Sequence, residues 1–70
     1  MEFECNLRVI FATIKQKDKK FTQKKFAEKV GLSRSALNAI VNEQRPPSFE
    51  SAYLISQELD MDIRDIWIKK

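Results

Sequence analysis

Residues 23–42, QKKFAEKVGLSRSALNAIVN, decide the fold of this chain. They read as two short helices joined by a glycine turn, because apolar side chains recur at spacings of three or four residues on either side of the turn. Phe26, Ala27 and Val30 mark the inner side of the first segment, and Leu37 and Ile40 that of the second. Gly31 stands where the first helix must end in a left-handed backbone conformation, and Leu32 covers the corner. Ser33 supplies an N-cap oxygen for the second helix. Ala27 is small where the helices must approach most closely. Crossed at the angle such a turn imposes, the second helix presents Arg34, Ser35, Asn38 and Ala39 outward, a set suited to the edges of DNA bases. The bland alternative is an αα-corner that exists only to pack.

Working outward, the pattern predicts three more helices. Leu7, Ile10, Phe11 and Ile14 define an amphipathic helix over 6–17, which the basic stretch KQKDKK at 15–20 closes, leaving Phe21 to re-enter the core. Thr22 is the expected N-cap of the second helix, over 23–30, and the third is expected over 34–41. Asn42 tolerates left-handed angles, and the loop that follows contains the rigid pair Pro46-Pro47. Ser48 caps a fourth helix over 49–59, with Glu50 at the positive end of its dipole. Its inward face is expected to carry Phe49, Ala52, Tyr53, Ser56 and Leu59, with Ile55 beside it. Asp60 occupies the terminating position where glycine would be easier. Asp62 caps a last helix over 63–68, whose Ile63, Ile66 and Trp67 point inward or into a partner. The expectation is an all-α, five-helix unit in which residues 1–70 form a single domain.

Composition narrows the function. A chain of 70 residues with 43% hydrophobic residues supports one small core, and one glycine with two prolines leaves few turns for an all-β fold. There is no histidine, and Cys5 is the single cysteine. A disulfide framework, a zinc site of the usual Cys/His type and catalysis by a Ser-His or Cys-His pair are therefore excluded within one copy. No cofactor motif or nucleophile–base pair is present, so an enzyme is not expected. No apolar run reaches membrane-spanning length and the first residues lack a basic leader, so a soluble cytoplasmic protein is expected. The net charge of +3 is unevenly placed. Residues 1–45 hold ten basic residues against five acids, and residues 46–70 hold three against five. The basic part contains the two-helix pattern, which points to a polyanionic partner.

The stretches TQKKFAEKVGLSRSALNAIVN and RPPSFESAYLISQELDMDIRDIW resemble the Cro and lambda-repressor class of helix-turn-helix regulators in their order of polar, small and apolar positions. The turn glycine, the small alanine, the PPS cap and the closing IRDIW segment carry the likeness, which extends from Leu7 to Trp67. The resemblance implies that Gln23 touches DNA phosphate and braces the recognition helix. It implies that Arg34, Ser35, Asn38 and Ala39 read bases, and that Asn42 and Arg45 clamp the backbone. A guanidinium fits the O6/N7 edge of guanine, an amide fits adenine and a methyl packs on thymine. Three positions depart from the family pattern: Glu43 replaces a glycine, Val41 stands at an often acidic position and Leu54 at an often charged one. The connection between the first two helices is one residue longer than usual, with Lys20 in place of a glycine.

These features lead to a sequence-specific regulator that binds a double-stranded DNA operator as a homodimer, a Cro-like repressor of a phage genetic switch. Leu54, Trp67 and Ile68 are its candidate dimer or partner residues. The competing reading is an anti-repressor that uses the same fold to bind a partner repressor protein, favoured by Glu43, Val41 and Leu54. An antitoxin of a toxin–antitoxin pair is a third possibility.

Overall fold

The computed structural model describes residues 2–70, and its elements follow the order β1 (Phe3–Cys5), α1 (Leu7–Lys17), α2 (Gln23–Lys29), α3 (Arg34–Val41), α4 (Phe49–Leu59), α5 (Ile63–Ile66) and β2 (Trp67–Lys69). All five expected helices are present. Side-chain caps start four of them: Thr22 Oγ1 accepts from the backbone N–H of Lys25, Ser33 Oγ from Ala36, Ser48 Oγ from Ser51, and Asp62 Oδ1 from Arg64. Each cap satisfies an N–H that the first turn leaves without a helical partner.

Three helix ends share one solution. After α2 the Leu32 N–H donates to Ala27 O and the Gly31 N–H to Glu28 O, with Gly31 at φ +74°. After α3 the Gln44 and Glu43 N–H groups donate to Ala39 O and Ile40 O, and after α4 Met61 and Asp60 donate to Ser56 O and Gln57 O. The turning residues there are Glu43 at φ +60° and Asp60 at φ +53°. Both do the work of a glycine from a strained backbone region.

The core draws on every helix. Leu7, Leu37, Ile40, Ile55 and Ile66 are its most completely enclosed side chains, and Phe26, Ala27 and Val30 join them as the turn pattern predicts. Phe11 stacks edge-on against Phe26 with ring centroids 4.9 Å apart, and Phe21 lies 5.3 Å from Phe11. That aromatic group ties α1 to α2 across the basic connection. Lys15 Nζ holds the same connection by donating to the carbonyls of Lys19 and Phe21. Lys20 does not adopt a glycine-like positive φ, and its N–H donates to Asp18 Oδ1 in a local turn.

Three expectations change. The fifth helix stops at Ile66, and Trp67 is extended (φ −111°, ψ 106°), opening β2. β2 pairs antiparallel with β1, Cys5 opposite Trp67 and Phe3 opposite Lys69, so the ends of the fold close in a small ribbon. The inward face of α4 is Ala52, Ile55 and Leu59. Phe49 and Tyr53, expected inside, are 83% and 51% exposed. Val41 is buried in the core, which explains why an apolar residue stands at an otherwise acidic position and removes it from any partner surface.

Candidate functional site

The α2–turn–α3 corner places the outward side of α3 beside the first turn of α2. Leu37, Ile40 and Val41 anchor α3 in the core, and the remaining positions at helical spacing must then face water. Arg34, Ser35 and Asn38 are exposed, and with Gln23 and Thr22 they line one open groove of about 860 Å³. Its remaining lining comes from Phe11, Lys15 and Phe21. The structure thus brings together three of the four expected base-reading residues and the expected bracing glutamine. Ala39 is half-buried and does not line the groove. Lys15 carried no site signal in the sequence; it follows the half-buried Ile14 on α1 and lines the groove.

The far end of α3 is organised differently. Asn42 caps the helix and its Oδ1 accepts from a guanidinium N–H of Arg8, on the first turn of α1. Glu43 turns its carboxylate back, and its Oε1 accepts from the backbone N–H of Cys5 at 3.2 Å. That contact ties the end of α3 to the ribbon. Cys5 is buried and free, and burial pushes its thiol above its ordinary value, with the nearby Glu43 carboxylate acting in the same direction. A protonated thiol of this kind is a packing residue, not a nucleophile. Arg45 is exposed and lies apart from the groove, beside Pro46, Pro47 and Ser48 in the loop after α3.

The candidate partner residues separate. Leu54 is 38% exposed on α4 and Ile68 is exposed on β2. Trp67 is 9% exposed and belongs to the core, its ring N–H buried without a hydrogen-bond partner. Its ring borders an apolar recess of about 360 Å³ shared with Phe3, Pro46, Pro47, Ala52 and Ile63. The exposed aromatic pair Phe49 and Tyr53, with ring centroids 6.2 Å apart, gave no separate signal in the sequence. Periodicity alone assigned them to the core.

Among the described residues no group of three or more His, Cys, Asp or Glu is placed to hold a metal ion. Among the same residues no helix is long and apolar enough to cross a membrane. A helix-turn-helix family model matches residues 15–66, from the last three residues of α1 through α5. No curated protein matches the chain.

Proposed function

The chain belongs to the helix-turn-helix family of DNA-binding regulators, of the Cro and lambda-repressor type, and on that premise we propose that it is a sequence-specific repressor of a phage genetic switch, acting as a homodimer on a pseudo-palindromic operator. The observation that carries this reading is the groove in which Gln23, Arg34, Ser35 and Asn38 converge. Their amide, guanidinium and hydroxyl groups match the donor and acceptor pattern of the major groove, and the residues before position 46 hold the excess of basic charge. Ala39 remains a candidate for apolar contact with a thymine methyl at the helix margin, with Asn42 and Arg45 holding phosphates beyond it. A two-fold dimer sets its recognition helices one DNA turn, about 34 Å, apart. The dimer contacts are drawn from the exposed side of α4 and from β2, with Leu54 and Ile68 as candidates; the buried position of Trp67 makes it a support for that surface.

A gel shift of the protein on the DNA upstream of its own gene, with nonspecific competitor, tests the proposal. A retarded complex that survives competition is expected, and with about four to six phosphate contacts per protomer its affinity falls steeply with salt. A complex removed equally by random DNA, or one indifferent to salt, overturns it.

One observation favours a second reading, that of an anti-repressor. Phe49, Tyr53 and Leu54 put a run of apolar surface on α4 that folding leaves uncovered. Co-purification with a repressor encoded nearby, in the absence of operator binding, would select it.

A further inference from the structure

We infer that Arg8 and Asn42 form a single composite phosphate clamp, in which α1 contributes a DNA contact to the end of the recognition helix. The inference deepens the proposed DNA-binding function and rests on it.

An asparagine side chain is ambiguous toward an anion, since its carbonyl repels what its NH2 attracts. Arg8 removes the ambiguity at Asn42. The two residues are 34 positions apart in the chain, yet a guanidinium N–H of Arg8 donates to Asn42 Oδ1. Arginine has five donors and no acceptor, so only the carbonyl end of the amide can face it. The NH2 end is thereby left as the free, donating end, and further guanidinium donors remain beside it. Planar guanidinium and amide groups side by side suit the oxygens of one phosphate.

The charge balance at this corner supports the same assignment. Glu43 follows Asn42 directly and would oppose phosphate approach, but its carboxylate is turned to the Cys5 N–H. Arg8 places a positive charge against Asn42 and offsets the acid. Stability does not explain the pair, because both residues are exposed and a surface contact between two side chains contributes little to folding.

The test is fluorescence anisotropy on operator and random duplexes across a salt series, using Arg8→Ala, Arg8→Lys, Asn42→Ala and the double alanine variant. Lys29→Ala is the control for net charge, since Lys29 lies between α2 and α4, 3.6 Å from Glu58. Arg8→Ala is expected to weaken both duplexes equally, by about tenfold, and to make the salt slope shallower by about one unit per protomer. Arg8→Lys should keep the slope and recover part of the affinity. The double variant should lose less than the product of the single losses, because either change disables the same clamp. In the free protein, the Asn42 side-chain amide resonances should shift in Arg8→Ala while the melting temperature stays near wild type. A wild-type slope in Arg8→Ala, matching Lys29→Ala, or fully multiplicative losses, overturns the clamp and leaves the proposed function standing. Absence of wild-type DNA binding at any salt overturns both.

Discussion

Arg34 and Asn38 line the groove beside α3, whereas Arg45 sits in the loop beyond it, and under the proposed function the first two read bases and the third holds phosphate. Arg34→Ala and Asn38→Ala should each cost about 1–3 kcal/mol on the operator and less on random DNA, with discrimination relaxed at particular base pairs. Arg45→Ala should weaken all sequences alike and flatten the salt slope by about one unit. Competition binding against single-base operator variants checks both. A second residue-scale expectation concerns pH. Hydrogen bonds from the Arg64 side chain and backbone hold the Asp62 carboxyl down at about 2, from an ordinary 3.8. A depressed carboxyl favours the folded state above its unfolded value, so the cap that starts α5 should persist at pH 4 and weaken only as the pH falls from there through 2. Carboxyl-carbon NMR titration of Asp62 should give a midpoint near the lower figure; an ordinary aspartate midpoint would deny the cap.

At the scale of elements, the shared helix ends make a quantitative comparison available. Gly31 adopts its positive φ without penalty, whereas Glu43 and Asp60 carry a side chain in the same region. Among the described residues Asp60 has no side-chain hydrogen-bond partner, and Asp60→Gly should therefore stabilise the fold by about 1 kcal/mol, raising the melting temperature by roughly 4–8 °C for a domain this size. Glu43→Gly should gain less, since it also removes the acceptor for the Cys5 N–H. Thermal denaturation of both variants measures the difference, and an equal gain would mean that the Glu43–Cys5 contact adds nothing to stability.

For the whole molecule, the question is which apolar residues hold it together and which are left over. Trp67→Ala should destabilise by about 3–5 kcal/mol, because it empties a core position shared by the ribbon and α5. Leu54→Glu should change stability by less than about 0.5 kcal/mol, as expected of a change on an exposed helix face. Sedimentation velocity then reads association separately from folding. A shift toward monomer in Leu54→Glu is expected for a dimer built on α4, and an unchanged monomer–dimer balance removes Leu54 from that interface.

The sequence by itself placed the five helices, four of their caps, and Arg34, Ser35 and Asn38 on the outward side of α3. Each rests on spacing or on side chains reaching a backbone group two or three residues away, and such interactions are local. Thr22, Ser33, Ser48 and Asp62 could be placed as caps for that reason, and Gly31 as the turn. Only the tertiary structure decided which side of α4 faces inward, since Phe49 and Tyr53 fit an apolar stripe as well as Ile55 does, and packing against the other helices selects between them. It also decided the ribbon. Three-residue strands are too short to show a period of two, and Trp67 leaves the helical course of α5 to lie opposite Cys5, 62 positions earlier. The groove residues from Arg34 to Asn38 were legible because they share one helix. The Arg8–Asn42 and Glu43–Cys5 contacts were not, because each joins residues more than 30 positions apart, and no local pattern encodes which distant elements the core will bring together.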